Sequence, residues 1–180
     1  MKSKSFQCLL LTAFFAIFGL SYLNAQPGGQ RLSPMMTATG KIGDANVTIT
    51  YSSPSVKGRK IWGGLVPYDK VWRAGANEAT ITETDKDLVV EGKKLPAGKY
   101  SLYAIPGEKT WQIIINSETG QWGIERTGET TRKPDKDVMV VTVKPRQSSD
   151  MQESMVYKIN NDGFILKWEH LEVPVSINQK

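Results

Sequence analysis

One segment of the sequence, 54–80 (PSVKGRKIWGGLVPYDKVWRAGANEAT), concentrates the side chains that can bind a ligand. Arg59 and Arg73 each carry a guanidinium group, whose planar fork of donors matches a carboxylate or a phosphate. Trp62 and Trp72 have flat rings that can stack on sugars, and the glycines near them would let a ligand approach closely. These residue types predict a binding site for an envelope glycan or a small anion.

The complete candidate site includes further residues of this segment and one tryptophan outside it. The candidate ligand-binding residues are Arg59, Trp62, Tyr68, Trp72, Arg73, Asn77, Glu78 and Trp122. The segment is basic, since its five Lys and Arg residues are opposed only by Asp69 before Glu78. The alternative is a structural role, in which the arginines pair with Glu78 or Asp69 and with backbone carbonyls, and the tryptophans close one end of the fold.

Catalysis has fewer candidates in this sequence. Glu78 is the best general acid or base, with Asp69 or His170 as its partner, so a hydrolase is an alternative function. A glycosidase needs two carboxylates about 5–10 Å apart, and the sequence does not determine how far Glu78 lies from Asp69. A structural or partner-binding envelope protein is the third hypothesis, and whether the chain is an enzyme stays open.

The composition excludes several classes of protein. The chain has 180 residues, with 23 Lys and Arg, 18 Asp and Glu, one Cys and one His. One cysteine and one histidine cannot form a disulfide framework or a metal site built from Cys and His. No phosphate loop, dinucleotide fingerprint or calcium loop is present, so we expect no cofactor and no metal. A net charge of +5 is too small to predict a nucleic-acid partner.

Residues 1–25 have the pattern of a secretory signal peptide. Two lysines precede an apolar run of 13 residues, 8–20, whereas a membrane-spanning helix needs about 20. Cleavage after Ala25 would leave a chain that begins at Gln26 with a flexible lead-in over 26–34. We therefore expect a periplasmic or secreted protein with no stable membrane anchor after cleavage.

Short stretches of alternating apolar and polar residues, separated by turn residues, predict β-strands in the rest of the chain. They are 47–51, 80–84, 88–90, 100–105, 111–116, 138–143, 154–159 and 164–169. The stretch 138–143 is continuously β-prone, which predicts burial on both faces. No stretch has a helical period. The sequence therefore predicts a single all-β domain over 35–178, an antiparallel, jelly-roll-like β-sandwich.

The last strand contains a predicted irregularity. Phe164, Leu166 and Trp168 alternate with one parity, and the apolar residues from Leu171 onward have the opposite parity. A strand changes its inward face only through an extra residue, which predicts a bulge near His170 and Leu171. Proline cannot donate to a ladder, so Pro174 predicts an edge strand.

Several longer motifs carry a resemblance to a known family. They are PSVKGR (54–59), IWGGLVPY (61–68), VWRAGANEAT (71–80) and LPAGKYSLYAIPG (95–107), with the pairs Trp122-Gly123 and Trp168-Glu169. In these motifs the chain resembles a bacterial family of exported proteins known only as domain of unknown function 2911. The resemblance covers about 33–177. It implies an exported, β-rich domain with no established activity, cofactor or catalytic residues, so it assigns no site residue.

Overall fold

The computed structural model describes residues 31–179, which form two antiparallel β-sheets. The strands are β1 (Met35–Ile42), β2 (Ala45–Ser52), β3 (Ala76–Thr84), β4 (Leu88–Val90), β5 (Lys93–Leu95), β6 (Gly98–Ile105), β7 (Trp111–Asn116), β8 (Asp137–Val143), β9 (Arg146–Asn160) and β10 (Gly163–Asn178). A short 3₁₀ turn, Pro134–Lys136, precedes β8. The predicted signal peptide and most of the predicted lead-in lie outside the described residues.

The larger sheet has the order β1-β2-β3-β6-β7-β8, and the smaller sheet has the order β5-β4-β10-β9. Every named strand pair is antiparallel. Apolar side chains from both sheets form one continuous core. This arrangement confirms the predicted all-β antiparallel sandwich. Within residues 31–179, no helix has the length and hydropathy needed to cross a bilayer.

Alternation of side chains decides which face of each strand joins the core. In β2, Val47, Ile49 and Tyr51 are buried between the sheets, as predicted, while the threonines between them are only half-buried. Each such apolar side chain stabilises the fold by about 1.5–3 kcal/mol when it is fully buried. β1 of the larger sheet and β9 of the smaller sheet also lie close together. A Cβ on Gly40 of β1 would lie 2.6 Å from Ile159 Cγ2 of β9.

The structure corrects the prediction for β8. Residues 138–143 were predicted to be buried on both faces, but Val138 is 41% exposed while Met139 and Val141 are buried. The strand forms one edge of the larger sheet, where only one face meets the core. β-Branched residues favour the extended backbone of any strand, so their number does not show how many faces are covered.

β10 contains the predicted bulge. Its register with β9 shifts on both sides of Glu169, whose φ of 56° lies in the left-handed region. The buried side chains accordingly change parity between Trp168 and Leu171.

The prediction that Pro174 marks an edge strand is wrong, because β10 lies between β4 and β9. Pro174 follows the last pair of β10 with β9, at Glu172, and precedes its first pair with β4, at Ile177. The proline therefore lies where the strand changes partner, and its missing N–H removes no bond from either ladder.

Candidate functional site

The irregular segment between β2 and β3 spans residues 53–75 and packs on the sandwich. It is shorter than the predicted 54–80, because β3 already begins at Ala76. Its backbone pairs with β6 at Trp72 and with β9 at Ser55. Its side chains that join the core of the sandwich are Val56, Ile61, Val66, Trp72 and Ala74. Apolar burial, rather than a ladder of hydrogen bonds, therefore holds most of the segment.

Trp62 and Trp72 form an aromatic cluster with Trp111 of β7 and Trp168 of β10. The ring centroid of Trp62 lies 4.9 Å from that of Trp111 and 5.6 Å from that of Trp168. Trp72 stacks on Trp168 at 6.1 Å with an interplanar angle of 19°. Because β7 and β10 belong to different sheets, this cluster attaches the segment to both of them.

A turn with unusual backbone places Arg73. Ala74 has a φ of 53° and Asn77 a φ of 56°, a region that costs a residue with a Cβ about 1 kcal/mol or more. The Ala74 carbonyl accepts hydrogen bonds from Thr80 Oγ1 at 2.9 Å and from Tyr157 Oη at 2.8 Å. Burial raises the pKa of Tyr157, so its hydroxyl stays a neutral donor. These bonds from the interior of the sandwich hold the turn.

A pocket of about 470 Å³ lies beside this turn. Among the residues that the structure describes, its lining includes the cations Lys57, Arg59 and Arg73 and no Asp or Glu. The rings of Trp72 and Trp168 also line it. The pocket therefore combines an aromatic wall with an excess of positive charge.

Arg73 is the most informative residue of the pocket. It forms no salt bridge with any residue of 31–179, and its Nε is buried without a hydrogen-bond partner. The residue is half-buried, and this burial lowers the pKa of its guanidinium. A cation in such surroundings is costly unless an anion or an acceptor comes to it.

Gly123 lets the Arg73 side chain reach this position. A Cβ on Gly123 would lie 2.2 Å from Arg73 Cδ and 2.9 Å from the Asn77 carbonyl oxygen. The Gly123 amide also donates to that carbonyl at 3.0 Å. The loop after β7 and the turn before β3 thus meet at a point where only a glycine fits.

The other cations of the pocket lie closer to solvent. Arg59 donates from Nε to the Val56 carbonyl at 3.1 Å and from Nη2 to the Ser55 carbonyl. These bonds fix its guanidinium and leave further donors available. Neither Lys57 nor Arg59 forms a salt bridge within the part of the chain that the structure describes.

Residues 31–34, the described end of the predicted lead-in, form another wall of the pocket. Leu32 and Ser33 line it. Asn77 Nδ2 donates to the Ser33 carbonyl at 3.2 Å, and the Ser53 amide donates to the Pro34 carbonyl at 2.8 Å. These bonds hold the chain beside the pocket.

Glu78 does not line this pocket. Its carboxylate accepts from Arg31 Nη1 at 2.8 and 3.0 Å and from Ser52 Oγ at 3.1 Å. Burial acts to raise the pKa of Glu78, but hydrogen bonds from its own backbone, from Arg31 and from Ser52 outweigh it and the pKa is lowered. The predicted pairing of Arg59 or Arg73 with Glu78 is therefore wrong, because Arg31 occupies that role. The bonds of Arg59 to the Val56 and Ser55 carbonyls agree with the other part of the structural alternative.

The structure distributes the predicted site residues over several places. Arg59, Trp72, Arg73 and Asn77 share the pocket, and Trp62 packs in the tryptophan cluster. The others lie elsewhere: Glu78 lines a second pocket of about 180 Å³, Trp122 is 52% exposed, and Tyr68 packs on Gly63.

His170 lies in the bulge of β10, with Nδ1 3.3 Å from the Ser148 carbonyl oxygen. Within residues 31–179, no three His, Cys, Asp or Glu side chains converge to hold a metal ion.

The candidate list missed several residues that line the pocket, among them Leu32, Lys57, Leu65 and Trp168. Lys57 and Leu65 belong to the segment already singled out, so its basic and apolar composition was a usable signal. Leu32 and Trp168 come from distant parts of the chain, and only the tertiary structure brings them to the pocket.

The fold and the pocket together define an all-β sandwich protein with a basic cavity under one irregular segment. The model of a family described as a protein of unknown function (DUF2911) matches residues 33–177, so the chain belongs to that family. This match confirms the resemblance seen in the sequence motifs. Comparisons with the curated proteins and with the solved structures give no significant match.

Proposed function

We propose that the protein binds a small anionic ligand in the pocket beside Arg73. The observation that carries this proposal is the state of Arg73, which is half-buried and lines a pocket of about 470 Å³. Within residues 31–179 it forms no ion pair, and its buried Nε has no hydrogen-bond partner. A carboxylate or phosphate would supply the partner that the guanidinium lacks. Lys57 and Arg59 add positive charge, which attracts the same ligands over a longer range.

An envelope glycan fits this pocket best when the glycan itself carries an anionic group. Trp72 lines the pocket and offers an aromatic wall, but Trp62 packs against three other tryptophans and Trp122 is not part of the lining. The charge of the pocket thus favours an anion over a neutral sugar.

The hydrolase alternative has less support. A general acid that works near neutral pH needs a raised pKa, whereas hydrogen bonds and the Arg31 ion pair lower that of Glu78. The alternative of a structural or partner-binding protein predicts no pocket under the segment, so the pocket favours a ligand-binding role.

Thermal unfolding with added phosphate, sulfate, acetate and anionic sugars tests the proposal. A ligand at a hundredfold excess over its Kd stabilises the folded state by about 2.7 kcal/mol, which raises the Tm of a domain of this size by several degrees. We expect Arg73→Met to abolish that rise. Arg126→Met is the matched control, since Arg126 is an exposed arginine away from the pocket.

The stability of the ligand-free variant distinguishes binding from a structural role. Methionine keeps an unbranched side chain that packs against Gly123, but it removes the half-buried charge. Arg73→Met should therefore be as stable as the parent, or more stable by about 1 kcal/mol. A strongly destabilised Arg73→Met protein, with no anion stabilising the parent, would show that Arg73 is structural.

A further inference from the structure

Given the anion site proposed above, the residues that line the pocket also indicate the chemical class of the ligand. We infer that the ligand carries two negative charges on one group and an apolar body, as the phosphate monoester of an apolar alcohol does. The charge of the lining, the exposed apolar side chains beside the pocket and its size lead to this class.

The charge of the lining favours a dianion. Lys57, Arg59 and Arg73 line the pocket, no carboxylate does, and none of the three is paired within residues 31–179. A single monoanion would leave most of this charge uncompensated. A phosphate group offers more acceptor oxygens than a carboxylate and matches guanidinium groups in the same bidentate way.

Apolar side chains on two sides of the pocket favour a ligand with an apolar body. Leu32 is 83% exposed and Leu65 is 47% exposed, and both line the pocket. Water solvates such side chains poorly, and exposed apolar groups that border a concave site are typical of ligand-binding surfaces. They come from different parts of the chain, one before β1 and one from the segment 53–75.

The aromatic wall supports the same conclusion. Trp72 and Trp168 stack on each other, and both line the pocket. Trp168 is 1% exposed, and its Nε1 has no hydrogen-bond partner. The two indole rings give this side of the pocket an apolar character, which suits a ligand that has an apolar part.

The pocket is too large for a bare ion to fill it. A cavity of about 470 Å³ lies in the range that holds a small organic molecule, of about 300–1,000 Å³. Inorganic phosphate would contact the cations and leave the apolar lining in contact with water.

Calorimetric titration of the protein at pH 8 with three related probes tests this inference. The probes are phenyl phosphate, inorganic phosphate and phenyl sulfate. Phenyl phosphate has both the dianion and the ring, inorganic phosphate lacks the ring, and phenyl sulfate keeps the ring with a single charge. We expect phenyl phosphate to bind at least about tenfold more tightly than either of the others.

Variants of the exposed leucines test the contribution of the apolar body to binding separately from that of the anionic group. Leu65→Ser and Leu32→Ser should weaken phenyl phosphate severalfold and leave inorganic phosphate unchanged, whereas Arg73→Met should weaken both. Met151→Ser is the control, because Met151 is 48% exposed and does not line the pocket. Each leucine is exposed, so its replacement leaves the core intact.

The outcomes of the titration distinguish this inference from the proposed function. Equal affinity for phenyl phosphate and inorganic phosphate would overturn the apolar body but keep the anion site. Equal affinity for phenyl phosphate and phenyl sulfate would overturn the dianion. No binding of any probe would overturn this inference, and it would overturn the anion site itself if acetate and the anionic sugars also leave the Tm unchanged.

The same head group occurs in phosphatidic acid, so vesicles that contain this lipid test a membrane source. We expect phenyl phosphate to bind and the vesicles not to sediment the protein. Sedimentation that needs Arg73, without binding of phenyl phosphate, would contradict a soluble ligand.

Discussion

Gly123, in the loop after β7, contacts the side chain of Arg73, which we propose to bind the anion. A Cβ there would lie 2.2 Å from Arg73 Cδ and 2.9 Å from the Asn77 carbonyl oxygen. Both distances are shorter than van der Waals contact, and the Asn77 oxygen belongs to the backbone of β3, so it cannot move without displacing the start of that strand. The position of Arg73 therefore depends on a glycine in another loop.

Gly123→Ala should destabilise the protein by about 1–3 kcal/mol and weaken its response to anions, because Arg73 must move. Urea unfolding and the anion-dependent Tm measure the two effects. Gly128→Ala is the control: its φ of 88° strains an alanine, but nothing lies within 4 Å of the new Cβ. It should lose about 1 kcal/mol and keep the anion response. A Gly123→Ala protein with normal anion binding would contradict this placement of Arg73.

Glu78 is a single residue that makes the free energy of unfolding depend on pH. Its pKa is lower in the folded protein than the ordinary value of 4.5. The hydrogen bonds that its carboxylate accepts from its own backbone, from Arg31 and from Ser52 therefore stabilise the fold fully above pH 4.5, and this stabilisation is lost as the pH falls through the lowered pKa.

Glu78→Gln should be less stable than the parent at pH 7, and the difference should shrink as the pH is lowered towards 3. Urea unfolding at both pH values measures it. Glu108→Gln, a substitution of an exposed glutamate with no ion pair within residues 31–179, should show no such difference. The same loss of stability for Glu78→Gln at pH 3 and pH 7 would show that the charge is not its cause.

At the scale of elements, the tryptophan cluster joins the irregular segment to both sheets. Trp62 contacts the rings of Trp72, Trp111 and Trp168 at centroid distances of 5.9, 4.9 and 5.6 Å. Such aromatic pairs add about 0.5–1.5 kcal/mol each beyond the area that they bury. Trp122 is 52% exposed and forms no aromatic pair with residues 31–179.

Trp62→Ala should therefore cost about 3–5 kcal/mol and reduce the near-UV circular dichroism of the coupled indoles. Trp122→Ala, the matched control, should cost less than about 1 kcal/mol and leave that spectrum nearly unchanged. Equal losses from the two substitutions would contradict the view that the cluster anchors the segment.

At the scale of the whole molecule, export stays a prediction from the N-terminal sequence. Expression of the full chain with collection of the exported fraction tests it, since cleavage after Ala25 leaves a protein that starts at Gln26. Intact-mass measurement should therefore give the mass of residues 26–180. A product that keeps residues 1–25 would contradict the signal peptide. Leu32 and Ser33, which line the pocket, are part of the cleaved chain.

The sequence by itself predicted most of the sheet structure. Strands such as β2, β6 and β7 alternate apolar and polar residues, and this period of two follows from the geometry of a single strand. The bulge of β10 was visible as a change of parity for the same reason. By contrast, β1 has Ile42 as its only β-branched apolar residue and β5 is only three residues long, so neither was identified. The edge position of β8 depends on which strand lies beside it.

The sequence also determined which segment is chemically unusual, because residue type and charge can be counted without a structure. Only the tertiary structure decided that Arg73 has no ion pair within residues 31–179, that Glu78 is held by Arg31, and that Trp168 and Leu32 reach the same pocket. These facts are distances between parts of the chain far apart in sequence. Such distances depend on how the two sheets pack, and no local pattern of residues records that packing.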